Sequence, residues 1–170
     1  MFLIVGLGNP GAKYENTPHN AGFAALAEFE KKGVEGVSVQ LLKPQSFMNR
    51  SGFEVKDALR NFKLTNEQLV VIHDDIDLPL GKVKVSKDSG AGGHKGVISI
   101  IEQLGTKDFV RIRIGIQPIT GKPENVEDFV LKRFSKEDSE IFSQAIKASC
   151  SALETFLTKG LGASMNEFNK

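Results

Sequence analysis

Cysteine is nearly absent: Cys150 is the only one among 170 residues. A lone thiol excludes an internal disulfide and fits a reducing, cytoplasmic setting. Neither sign of charge is in excess. Lys and Arg number 22 against 21 Asp and Glu, a formal net charge of +1. Such a molecule is no general magnet for nucleic acid, so any such contact has to come from a local patch. No apolar run reaches membrane length and no signal peptide is expected, because Phe2–Leu7 is too short for either. Internal repeats, low-complexity tracts and linkers are also missing. One domain over residues 1–170 is therefore the simplest organisation, with 40% apolar residues to build its core. A G-x-S-x-G elbow is absent, which disfavours a serine nucleophile. His73, Asp74, Asp77 and His94 invite a metal reading, but no H-x-x-x-H or H-E-x-x-H spacing supports it.

What is present is organised around Phe2 to Gly22. Phe2, Leu3, Ile4, Val5 and Leu7 read as a buried strand. Gly6, Gly8, Pro10 and Gly11 break it at its C-terminal end. Thr17-Pro18 then reads as a helix start, with Thr17 as N-cap and Pro18 at the first helical position. That places His19 and Asn20 in the first helical turn. Ligands of open α/β sheets sit where strands end and helices begin, so Asn9 and His19 are expected to face one crevice. Gly6, Gly8 and Gly11 also spell G-x-G-x-x-G. The dinucleotide reading is disfavoured, because the helix does not open inside the glycine motif and no acidic residue ends a second strand at the right distance.

Further along, Val37 to Leu42 reads as a strand ended by Lys43-Pro44. Ser51 with Glu54 has the spacing of a capping box ahead of a helix through Val55, Ala58, Leu59 and Phe62. Leu69 to Ile72 is a second buried strand that runs into His73-Asp74-Asp75. Lys82 to Val85 and Arg111 to Ile114 alternate as half-buried strands. Between them, Ser89 to Gly93 is a glycine-rich loop whose end, His94-Lys95-Gly96, opens a helix. Phe129 to Phe134 reads as a short packed segment. Ser135 and Asp138 mark a second capping box, before a long helix that holds Cys150 as a small packing residue. Gly160 and Gly162 end it, and a short C-terminal helix follows. Strands alternating with helices predict an α/β fold: a single globular domain with a twisted mixed β-sheet flanked by helices.

A carboxylate bonded to one ring nitrogen of His19 would fix its tautomer and strengthen the other nitrogen as a base, and Asp74 is the best-placed partner. Asn9, Asn49 and the pair Phe47-Met48 read as recognition residues, with turn roles for the asparagines and core roles for Phe47 and Met48 as the alternatives. Lys82 and Lys84 share one strand face, and Arg111 and Arg113 share another. With Lys87, Lys95 and Lys107 they would form one basic surface suited to phosphates, or else scattered solvated charge.

GLGNPG with Tyr14, His19-Asn20 and Gly22, then KPQSFMNRSG (43–52), HDDIDLPLG (73–81), GGHKG (92–96) and RIRIGI (111–116), occur in one order. Together they resemble the bacterial-type peptidyl-tRNA hydrolases over most of the chain. The resemblance implies an esterase that frees tRNA from peptidyl-tRNA, with no cofactor, acting as a cytoplasmic monomer. It implies His19 as general base, Asp74 as the catalytic aspartate, and Asn9 and Asn49 at the peptide end and reacting carbonyl. Tyr14 and Phe47 would line the site for the tRNA 3′ end, and Arg113 would belong to a clamp on the tRNA 5′ phosphate. Two departures stand out. Ser86 occupies the place of the clamp's lysine, and Lys95 replaces an asparagine after GGH. The chain is also short after its first helix, which is expected to trim one sheet edge. The rival expectation is a non-catalytic RNA-binding relative on the same scaffold.

Overall fold

The computed structural model describes residues 1–170. Five strands form one mixed sheet: β1 (Phe2–Gly6), β2 (Val39–Leu42), β3 (Leu69–Pro79), β4 (Val83–Lys87) and β5 (Val110–Gln117), in the order β2-β1-β3-β5-β4. The pairs β1–β2, β1–β3 and β3–β5 are parallel, and β4 runs antiparallel on β5. Helices α1 (Ala21–Lys32), α2 (Ser51–Phe62), α3 (Lys95–Leu104), α4 (Val126–Val130), α5 (Lys136–Lys159) and α6 (Leu161–Phe168) complete the fold.

Alternation along the strands builds a core on each face of the sheet. Ile4, Val70, Ile72, Ile112 and Ile114 pack with Ala25 and Phe29 of α1 and Phe142, Ile146 and Leu153 of α5. Leu3, Val5 and Val71 pack on the other face with Val55 and Leu59 of α2 and Val97 and Ile100 of α3. Cys150 is buried beside the Ala25 carbonyl, and burial, ahead of nearby Glu28, pushes its thiol up to about 11. It is a packing residue. The exposed edge of β4 is covered by Asn169, whose side chain accepts from Val85 N and donates to Val85 O.

Several local expectations need correcting. Thr17 makes no cap bond; its hydroxyl donates to the Tyr14 carbonyl at 2.6 Å, and residues 18–20 form a 3-10 turn before α1 begins. Ser51 is already helical because a 3-10 turn, Met48–Arg50, precedes it, so its hydroxyl donates to Met48 O and no capping box forms. Glu54 instead accepts from Gln45 N and Ser46 N at 3.0 and 2.7 Å. A box-type bond missed in the sequence forms at Thr65-x-x-Gln68, where Gln68 Oε1 accepts Thr65 N–H. Ser135 does cap α5, accepting from Asp138 N. Gly160 ends that helix, whereas Gly162 lies within α6.

Connections from β1 and from β3 leave in opposite directions, toward β2 and toward β5. The crevice at their C-terminal ends is where an α/β sheet takes a ligand. Close backbone approach brings the two sides of it together. A Cβ on Gly22 would lie 2.2 Å from Leu7 N and 2.3 Å from Ile72 O, so only glycine lets α1 rest directly on β1 and β3. That contact carries His19, just ahead of α1, over the end of β3.

Candidate active site

A cleft of about 430 Å³ opens at this point. Its floor is Asp74, 2% exposed at the end of the buried part of β3. His19 Nδ1 lies 2.9 Å from Asp74 Oδ2 and 3.1 Å from Oδ1. A carboxylate only accepts, so Nδ1 carries the hydrogen and Nε2 keeps its lone pair toward the cleft. Burial pushes the His19 pKa down, but the charge and hydrogen bond of Asp74 outweigh it, so the value stands above the ordinary one; the nearby Lys95 charge opposes the rise. For Asp74, burial favours the neutral acid, yet His19 and His94 hold its pKa well below the usual carboxylate range. The pair is therefore a fixed anion beneath a strengthened base.

All three histidines gather around Asp74, two of them on its carboxylate. His94 Nε2 lies 2.8 Å from Asp74 Oδ1, and His73 Nδ1 lies 2.6 Å from the Asp74 backbone carbonyl. His19, Asp74 and His94 have ligand atoms within 4.8 Å of one another, the kind of N/N/O set that can hold a divalent cation. The hydrogen bonds argue against one. His94 Nδ1 accepts from Gly96 N at 3.1 Å and Val97 N at 3.3 Å, capping α3. A neutral imidazole has one lone pair, and the cap occupies it. Nε2 thus bears hydrogen and has nothing to offer a metal.

Asn9 is buried and triply held. Its N–H donates to Asn20 Oδ1 at 2.8 Å, its C=O accepts from Asn20 Nδ2 at 3.0 Å, and its Oδ1 accepts Met48 N–H at 2.9 Å. With Oδ1 occupied from within, Nδ2 remains as a donor into the cleft. The Asn9 acceptor is thus taken by the protein's own Met48 N–H, not left for a substrate backbone, and toward the cleft Asn9 offers a donor. Asn20 locks Asn9 in place; the sequence marks it only as a member of the helix start and of the motif with His19, with no site role of its own. Met48 is buried, and Asn49 and Phe47 are exposed on the same wall, Phe47 by 58%. Glu54, reaching back to Gln45 and Ser46, steadies this segment.

The opposite wall comes from Gly92 to Lys95 and from α4. Lys95 Nζ lies 2.5 Å from Glu127 Oε1, and Lys122 Nζ 2.8 Å from Asp77 Oδ1; both pairs are exposed. Tyr14 and Arg113 do not line the cleft. Tyr14 is half-buried in a 3-10 turn beside Lys13. Arg113 Nε donates to Asp75 Oδ2 at 2.7 Å, which aims the guanidinium and leaves its terminal nitrogens without a protein partner.

The expected basic surface shrinks. Arg111 is 1% exposed, and its guanidinium holds the Ser89 carbonyl and hydroxyl under the glycine-rich loop. Burial, ahead of its neighbour Arg113, lowers its pKa to about 10, which leaves it charged at neutral pH. Lys87 is paired with Asp108. Lys82, Lys84 and Lys107 stay exposed, and of these Lys84 lies directly opposite Arg113 in the β4–β5 register, so those two side chains share a sheet face.

Comparison with known proteins agrees with this geometry. The family model for peptidyl-tRNA hydrolase matches residues 3–170. A peptidyl-tRNA hydrolase of Carboxydothermus hydrogenoformans is 42% identical over 188 aligned positions, which cover 100% of this chain and 99% of that one. One from Citrifermentans bemidjiense is 43% identical, covering 98% and 97%. The crystal structure of peptidyl-tRNA hydrolase from Acinetobacter baumannii superposes with a TM-score of 0.91 at 30% identity, covering 99% of this chain and 94% of that one. An endopeptidase of Escherichia coli, HycI, shares the fold alone, with a TM-score of 0.55 at 15% identity. On the whole-chain match and these identities, the chain belongs to the peptidyl-tRNA hydrolase family.

Proposed function

We propose that this chain hydrolyses the ester joining a peptide, or an N-blocked aminoacyl group, to the 3′-terminal ribose of tRNA, with His19 as general base and Asp74 as its orienting carboxylate. One observation carries the reading: His19 Nδ1 is committed to a buried carboxylate while Nε2 stays open to the cleft, beside the Asn9 amide. In this mechanism His19 Nε2 takes a proton from water as the water oxygen attacks the ester carbonyl carbon. Asn9 Nδ2, with Asn49 at the rim, donates to the developing oxyanion. The carbonyl–ribose oxygen bond then breaks. His19 returns its proton to the leaving ribose oxygen, and free tRNA and a peptide carboxylic acid depart. No cofactor enters.

The remaining residues serve recognition. Phe47 offers an exposed ring for an unpaired 3′ base, next to the buried Met48, and Tyr14, outside the cleft, would stack a base beyond it. Arg113 and Lys84 form the phosphate clamp, Lys84 standing in for the lysine that Ser86 replaces. Lys95 attracts the tRNA backbone, exchanging Glu127 for phosphate. The enzyme acts as a monomer in the cytoplasm; the buried, unpaired Cys150 and the lack of any helix long and apolar enough to cross a membrane support that setting.

The test is release of N-acylated amino acid from tRNA by the purified protein, with free aminoacyl-tRNA as control. Turnover of the acylated substrate that persists in chelator is expected. No turnover, or activity lost to chelator and restored by metal, overturns the reading.

A further inference from the structure

We infer that His94 is a positioning residue for the catalytic carboxylate: it hangs Asp74 from the N-terminus of α3, so that the glycine-rich loop sets the orientation of the acceptor that orients His19. The inference rests on the reading of His19 and Asp74 as the working pair.

The hydrogen bonds run in one direction. Gly96 N–H and Val97 N–H donate to His94 Nδ1, which obliges Nε2 to carry hydrogen and to donate to Asp74 Oδ1. The other oxygen, Oδ2, receives His19 Nδ1–H. A carboxylate held by one donor swings about its terminal torsion, which has broad, shallow wells. Donors on both oxygens stop that swing, and the His19 ring is thereby aimed. His94 is itself well held. It is 9% exposed, its N–H donates to Ala91 O, its C=O accepts from Ile98 N, and the His73 ring stands edge-on against it at 4.9 Å. His73 is kept neutral, because burial, with His94 and Arg111 nearby, holds its pKa well below the ordinary value. The residues before His94, Gly92 and Gly93, have φ of 58° and 79°, a backbone open to glycine, so the loop's path decides where the imidazole sits.

The second donor also tempers Asp74. A carboxylate that already accepts from His94 attracts the His19 imidazolium less strongly. The charged and titratable groups around His19 are His73, Asp74 and Asp75 from β3, His94 and Lys95 at the start of α3, Lys122 from the loop before α4, and Glu127 from α4. Among them only His94 shares the carboxylate with His19 through a hydrogen bond.

Two conservative substitutions separate the cap from the donor. In His94→Asn, Oδ1 takes the place of Nδ1 and keeps the cap, but nothing reaches Asp74. In His94→Gln, the amide nitrogen takes the place of Nε2 and reaches Asp74, but the cap is lost. The measurements are thermal unfolding and the pH profile of steady-state hydrolysis of an N-acylaminoacyl-tRNA, with His94→Ala as reference. His94→Asn is expected to melt above His94→Ala, lose about ten- to a hundredfold in kcat with KM within about twofold, and move the acid limb to higher pH. His94→Gln is expected to melt lower yet recover most of the kcat that His94→Ala loses. The proposal is overturned if His94→Asn matches the wild type in kcat and acid limb while His94→Gln is as poor as His94→Ala. It is equally overturned if all three lose kcat alike with an unmoved limb. An inactive wild type would instead overturn the functional reading on which the inference rests.

Discussion

Charge is handled in opposite ways at two places on the same sheet. Midway along β3, where its continuous buried run ends, Asp74 is buried, receives imidazole donors on both oxygens, and remains ionised although burial alone favours the acid. On the β4–β5 face, Lys84 is exposed and Arg113 leaves its terminal guanidinium nitrogens open, tied only through Nε to Asp75. A buried charge costs desolvation, so it persists only where partners fix it, and that fixity is what orients a base. An exposed charge is screened and weakly paired, so it can exchange its partner for a phosphate at little cost. One residue pair along the same strands, Arg111 shows the intermediate case. It is buried and charged, held by a carbonyl and a hydroxyl, and serves the loop above it.

The sharpest way to test this contrast is to remove the buried pair. His19→Ala should lower kcat by about 10²–10⁴ while the melting temperature and tRNA affinity stay close to wild type. Asp74→Asn should cost a similar factor, because an amide stabilises no imidazolium. The double variant should be little worse than the worse single one, since the two act as a unit. Fully multiplicative losses in a kinetic double-mutant cycle would show that they work apart.

At the exposed face the effect should be smaller and of another kind. Arg113→Ala and Lys84→Ala should raise KM with kcat nearly constant, and each should reduce the slope of log affinity against log salt by about 0.7–0.9. A binding series in salt decides it: an unchanged slope removes that side chain from the clamp.

Lys95 lies between the two regimes, exposed but close enough to lower the His19 pKa. Lys95→Asn should raise KM a few-fold and flatten its salt dependence, with kcat at its pH plateau nearly unchanged. It should also move the acid limb slightly upward, because a cation that opposed imidazole protonation is gone. A lower plateau kcat with an unaltered salt slope would place Lys95 at the reacting end instead.

The smallest expected effect is on stability. The His19 pKa is raised in the fold, so its attraction to Asp74 contributes fully below the ordinary imidazole value and is lost as pH rises through the raised one. Melting temperature followed across that window should show this decline in the wild type and not in His19→Ala.

The strands, most of the helices and the family were legible in the sequence alone. Apolar runs and period-two alternation are local properties, and strand existence follows from them. The motif order around Asn9, His19, Asp74 and His94 likewise survives without coordinates. Atom-level assignments did not. His19 meets Asp74 across 55 residues, Asn9 meets Met48 across 39, and His94 meets Asp74 across 20. Sheet register and the rest of α1 on Gly22 set these meetings, and no local pattern encodes either. The capping box at Ser51 and the cap at Thr17 do not form because 3-10 turns ahead of α2 and α1 move the helix starts. Arg111 and Arg113 look alike in an alternating strand, yet the loop that folds over Arg111 buries it and leaves Arg113 half-buried. Composition and periodicity determined which elements form and which chemistry is available. Tertiary structure decided which nitrogen carries a hydrogen and which charge meets water, because both depend on partners that only the closed fold brings within reach.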